Sequence, residues 1–166
     1  MAIQVIKEVN RDAGRAVFAG ASIVAGQPLE LVTNSSTVQP YSGVSGSLPL
    51  GLASESNLVF PLQGANGLTA GAGYDYTNFN RGGLVGTFVN GGEFALSGDT
   101  YPSGTVYPYN PLDTYTLNMQ VTVDSSGKIR SAAAVAPSAI SPAIGVVLDV
   151  QGSSPVTQLT IKLLNA

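Results

Sequence analysis

Tyr115-Thr116-Leu117-Asn118-Met119-Gln120-Val121-Thr122-Val123-Asp124 is the stretch that decides the fold class. Tyr115, Leu117, Met119, Val121 and Val123 alternate with Thr116, Asn118, Gln120, Thr122 and Asp124. A period of two predicts a strand with one face buried and the other wet or against a partner. Ser125-Ser126-Gly127 then turns the chain into Lys128-Ile129-Arg130.

Reading outward, the same grammar recurs. Leu84-Val85-Gly86-Thr87-Phe88-Val89 and Glu93-Phe94-Ala95-Leu96 flank Asn90-Gly91-Gly92, which predicts a hairpin with one extra glycine. Strands are expected at 29–33, 37–41, 48–53, 143–150 and 156–164. In the last, Leu159, Ile161 and Leu163 share a face while Val156 has the opposite parity, so a bulge is expected near Thr157 or Gln158. A helical turn over 131–136 is limited by Pro137 and Pro142. Asn10-Arg11-Asp12-Ala13-Gly14 reads as a turn. Residues 1–12 therefore form an N-terminal arm or a first strand, and 13–166 a single β domain. Short strands at near-regular spacing predict an all-β fold, a β-sandwich or small β-barrel of antiparallel strands. Ala25-Gly26-Gln27-Pro28-Leu29, leading to Pro49-Leu50-Gly51-Leu52-Ala53, looks like Ser103-Gly104-Thr105-Val106-Tyr107, leading to Ala143-Ile144-Gly145-Val146-Val147-Leu148. Two related halves, or coincidence among glycine turns, would give that likeness.

Residues 54–83 break the pattern. Glycines and asparagines interleave with Tyr74, Tyr76 and Phe79, which predicts a long Gly/Asn/Tyr-rich excursion. Loops of that length are functional, covered or disordered, and three aromatics favour docking against something.

Composition narrows function. Charged residues make up 10% of the chain, against 44% hydrophobic; soluble domains average roughly 25% charged. A surface so poor in Lys and Glu is apolar or amide-like. It either meets a partner or is kept soluble by Ser, Thr and Asn. Net charge is −3, and Lys7, Arg11 and Arg15 are interrupted by Glu8 and Asp12. That argues against nucleic acid as a partner. Cysteine is absent, so no disulfide or thiolate metal site is expected. No signal-peptide pattern begins the chain, and no run approaches ~18 apolar residues, so no membrane partner is expected.

Histidine is absent as well, which removes Ser-His-Asp and Cys-His machinery. Ser125-Ser126-Gly127-Lys128 matches Ser-x-x-Lys, but that chemistry needs a helix start and these residues sit in a predicted turn. Gly71-Ala72-Gly73 lacks the context of a dinucleotide fingerprint. Asp75, Asp99, Asp113 and Asp124 are solvated loop acids or, if they converge, an oxygen-ligand site. Tyr101, Tyr107 and Tyr109 lie among prolines and suit either an interface or strand-end packing. The expectation is a non-enzyme without cofactor.

The order of these signals resembles a family. Ala-Gly-x-Pro is followed by Pro-Leu-Gly-Leu-Ala, a glycine-rich excursion, Arg81-Gly82-Gly83-Leu84-Val85 and Gly91-Gly92-Glu93-Phe94. Val121-x-Val123-Asp124-x-x-Gly127-Lys128 and Ile144-Gly145-Val146-Val147-Leu148 close the series. The pattern resembles the small capsid decoration (cement) proteins of tailed bacteriophages, including those built on the domain of unknown function 2190 plan. The resemblance implies a virion protein made in the host cytoplasm and bound to the outer capsid surface, where major capsid protein subunits meet. It implies a homotrimer without enzymatic activity. Capsid contacts are expected from Ile3, Val5, Ile6, Lys7, Arg11 and Arg15, by edge addition to a capsid strand, unless 1–12 is an ordinary first strand. Contacts between subunits or at the surface are expected from Tyr74, Tyr76, Phe79, Arg81 and Tyr101. The alternative is a carbohydrate- or receptor-binding module with a glycan platform of Tyr74, Tyr76, Tyr101, Asn78 and Asn80.

Overall fold

The alternating runs pair into two open antiparallel sheets and one ribbon. A computed structural model describes residues 3–7, 10–16, 21–43, 49–54, 56, 84–89, 91–101, 104–133 and 142–164, with the backbone alone along 10–16, 84–86 and at 89 and 101. The described strands are β1 (Ile3–Lys7), β2 (Asn10–Ala16), β3 (Pro28–Leu31), β4 (Val38–Pro40), β5 (Gly51–Ala53), β6 (Leu84–Val89) and β7 (Glu93–Ser97). They continue as β8 (Asp99–Tyr101), β9 (Gly104–Val106), β10 (Gln120–Val123), β11 (Ile129–Ser131), β12 (Gly145–Gln151) and β13 (Gln158–Leu163). A six-stranded sheet has the order β1-β7-β13-β12-β10-β11, a five-stranded sheet the order β2-β6-β5-β3-β4, and β8-β9 form the ribbon. The described residues are all-β, neither sheet closes into a barrel, and the arrangement is that of a sandwich.

The main core lies between the sheets. From the six-stranded side come Ile3, Phe94, Leu96, Val121, Val123, Ile129, Val147, Leu159, Ile161 and Leu163; Ala25, Tyr41 and Leu52 meet them from the other side. Phe88 of β6 stacks at a tilt on Phe94 of β7, with centroids 5.4 Å apart, so one aromatic pair bridges the layers. Each such buried apolar side chain contributes roughly 1.5–3 kcal/mol. Leu159, Ile161 and Leu163 all face this core, as their spacing predicts. A smaller cluster of Ile23, Leu29, Val38 and Ala53 also forms. Leu52 and Ala53 are neighbours that enter different clusters, so β5 is buried on both faces.

Several local expectations give way to tertiary structure. Asn90-Gly91-Gly92 does not close a hairpin: β6 pairs with β2 and β5, whereas β7 pairs with β1 and β13. Both apolar runs point into one interior, so stacking them across the core buries Phe88 and Phe94 together. The strand expected over 115–124 shrinks to β10. Asn118 takes a left-handed φ of 60-odd degrees (63), and a turn bond from Met119 N to Thr116 O precedes the strand. Tyr115 still reaches the core, but Leu117 is 62% exposed. The terminal bulge falls on the partner strand, between Val147 and Asp149, where Leu148 is the extra residue. The two look-alike segments are not equivalent. β3 pairs with β5 in the first, whereas β9 pairs with β8 and β12 with β10 and β13 in the second. Asn10–Gly14 is not a turn but part of β2, with a register shift between Asp12 and Arg15. The hairpin turn at Ser125–Gly127 is as expected, with Val123 opposite Ile129. The body of the excursion, 57–83, and the second half of the proposed helical turn, 134–136, lie outside the described residues.

Candidate functional site

Residues 3–7 form an integral strand, β1, rather than a detached arm. It occupies one edge of the six-stranded sheet, with Ile3 opposite Leu96 and Val5 opposite Phe94. Ile3 is 7% exposed and belongs to the core. Its side chain serves the fold, which corrects its assignment as a capsid contact. Val5 and Ile6 remain 39% and 53% exposed. Lys7 is exposed and lies 4.0 Å from Glu93, a surface pair of small energetic weight.

Open sheets have edges, and edges invite strand addition. Among the described residues, each edge of the two larger sheets carries a feature that discourages it. β1 shifts register between Val5 and Lys7 and ends on a lysine. β2 shifts register and carries Arg11, Asp12 and Arg15. β4 ends on Pro40, which has no N–H to donate. β11 is only three residues long. A long uninterrupted ladder with a partner strand is therefore disfavoured on β1, and Val5 and Ile6 are offered as side chains. Arg11 and Arg15 pair through their backbones with Phe88 and Val85 of β6; their side chains lie outside the description.

A second surface is built around the connection 110–119. Asp113 anchors it: Arg130 Nε and Nη2 donate to its two oxygens at 2.7 and 3.0 Å, Ser131 N at 3.1 Å and Asn110 Nδ2 at 2.9 Å. Arg130 also reaches Asp124 at 3.5 Å. Asp124 caps the β10–β11 turn by accepting from Ser126 Oγ, Ser126 N and Lys128 N. Burial alone would push the Asp124 carboxyl up, but these hydrogen bonds and the nearby guanidinium hold it below its ordinary range. The Asp113 hydrogen bonds in turn hold the Arg130 proton more tightly than usual. Asp113 and Asp124 thus converge on an arginine. Among the described residues no group of acids is arranged to hold a metal ion; Asp99 instead accepts from Ser56, and Asp75 lies outside the description.

Tyrosines fasten the same connection from within. Tyr107, Tyr109 and Tyr115 run edge to face, with centroids 5.4 and 6.3 Å apart. Tyr109 OH donates to Val156 O, and Tyr115 OH is shared between Asn110 O and Ile129 O. Burial pushes both phenols well above their usual range. Tyr109 and Tyr115 pack in the core, whereas Tyr107 is half-buried against it.

The outer side of 110–119 is uncharged, with Thr114, Thr116 and Asn118 exposed beside two leucines. Leu112 is 72% and Leu117 62% exposed. The period-two reading of 115–124 places Leu117 on the buried face; the left-handed turn at Asn118 breaks that alternation and leaves Leu117 outside. Ser125–Lys128 sits in the predicted turn, capped by Asp124. Tyr101 ends β8 opposite Gly104. Tyr74, Tyr76, Asn78, Phe79, Asn80 and Arg81 lie outside the described residues, and with them most of the proposed glycan platform. No protein-family model matches the sequence, and no curated protein matches it.

Proposed function

We propose that this chain is a capsid decoration protein. It binds the outer surface of a tailed-phage head at junctions between major capsid subunits and stabilises the shell, as a homotrimer and without catalysing a reaction. The observation that supports this most is the edge strand β1. It is seated in the sheet by Ile3, yet leaves Val5 and Ile6 substantially exposed on a chain with only 10% charged residues. A rigid body with uncharged contact area suits a clamp, because apolar burial contributes roughly 25 cal/mol per Å² and scales with area. A trimer engaging several subunits gains further by avidity.

The test uses phage heads assembled without this chain. Adding the purified protein should give saturable co-sedimentation and raise the temperature at which the heads release DNA. Val5→Ser/Ile6→Ser should weaken both. Heads that neither bind the wild-type chain nor change their release temperature would overturn the reading.

A further inference from the structure

Met119 lies directly before β10, half-buried and packed against the main core. Three segments converge on it. Its N–H donates to Thr116 O at 3.1 Å within the connection 110–119, and its carbonyl accepts from Val147 N of β12 at 2.8 Å. Asn118 N in turn donates to Val147 O at 2.9 Å, so residues 118 and 119 are bonded to Val147 in both directions. From the third side, Ser131 Oγ of β11 donates to the Met119 sulfur across 3.0 Å.

Ser131 gives that sulfur contact its consequence. The serine is 1% exposed. Its N–H donates to Asp113 Oδ2 at 3.1 Å, and its hydroxyl oxygen accepts from Ala133 N at 3.3 Å. The hydroxyl proton is therefore directed at a thioether, a weak acceptor, from a residue closed to solvent and fixed through its backbone. A thioether suits this seat because it is apolar enough for the core and polarizable enough to face a hydroxyl. An oxygen added to the sulfur changes both properties, since a sulfoxide is polar and chiral and disrupts apolar packing. The 3.0 Å between Ser131 Oγ and the sulfur leaves no room for an oxygen atom between them. The sulfoxide oxygen cannot take over the serine bond in place, so the Met119 side chain must swing outward.

We propose that Met119 is an oxidation-sensitive modification site. As a thioether it holds the connection 110–119 against β11 and β12; as a sulfoxide it releases that hold. The oxidant is hydrogen peroxide. One peroxide oxygen bonds to the sulfur as the O–O bond breaks, the sulfur is oxidised by two electrons, and the peroxide is reduced to water. Partial exposure of Met119 lets so small an oxidant reach it in the folded chain. The proposal is independent of the decoration reading.

The experiment treats the full chain with hydrogen peroxide, maps oxidation by peptide mass spectrometry and records thermal melts before and after. The folded chain should gain one oxygen at Met119, and its melting temperature should fall by roughly 2–4 °C or more, the scale of one lost contact in a chain of this length. Methionine sulfoxide reductases should restore the original melt. Met119→Leu should keep its melt under the same treatment. Met119→Gln, polar without any oxidation, should melt below Met119→Leu, which tests the release without peroxide. A folded chain that leaves Met119 unmodified, at a peroxide concentration that converts it in urea, would overturn the site. A Met119 sulfoxide with an unchanged melt would overturn the release.

Discussion

Arg130 grips Asp113 through a two-point fork, Nε to Oδ2 at 2.7 Å and Nη2 to Oδ1 at 3.0 Å, and so ties β11 to the connection that leads into β10. The geometry is specific to guanidinium. Arg130→Lys should cost about 1 kcal/mol, whereas Asp113→Ala, which leaves Arg130 and the Ser131 N–H without their acceptor, should cost about 2–3 kcal/mol. Urea denaturation of the two variants measures the difference. Equal losses would mean that the fork is not the source of the stability.

The protonation of Asp124 and of the core tyrosines bounds stability at both ends of the pH scale. The folded-state pKa of Asp124 is depressed, so its contribution is complete above the unfolded carboxylate value of about 3.9 and is lost as pH falls through the folded value. Tyr109 and Tyr115 are shifted upward. Their contribution is complete below the unfolded phenol value of about 10 and is lost as pH rises beyond it. Thermal melts should therefore be level between these limits and fall outside them. Asp124→Asn should flatten the acid limb, and Tyr115→Phe the alkaline one.

Gly51 and Gly104 make a matched comparison. Both have positive φ, 157° and 125°. A Cβ on Gly51 would run into the Phe88 carbonyl, while a Cβ on Gly104 meets nothing within 4 Å. Gly104→Ala should lose about 1–2 kcal/mol from backbone strain alone, and Gly51→Ala clearly more, because it also forces β5 away from β6. Calorimetric melting points of the two variants should fall in that order.

Binding to phage heads should depend weakly on salt. The contacts proposed at Val5 and Ile6 are apolar, and beside them Lys7 is the one charged residue of the proposed contact whose side chain is described. Screening shortens the Debye length from ~10 Å at 0.1 M to ~3 Å at 1 M, yet co-sedimentation at the two ionic strengths should agree within about threefold. A collapse of binding at high salt would assign the contact to Arg11, Arg15 and Lys7 instead.

Period-two alternation and turn chemistry, which act over neighbouring residues, are enough to specify the all-β class, the span of β6, the turn at Ser125–Gly127 and the inward face of Leu159, Ile161 and Leu163. The choice of strand partners was set by packing between segments far apart in the chain. Local pattern says that Phe88 and Phe94 face a core; it does not say that they face each other across two sheets instead of lying side by side in one. It likewise could not place Leu117 outside or bring Asp113 to Arg130, because the left-handed turn at Asn118 and the fork are selected by contacts between segments distant along the chain, where burial and pairing outweigh the preference of any single stretch.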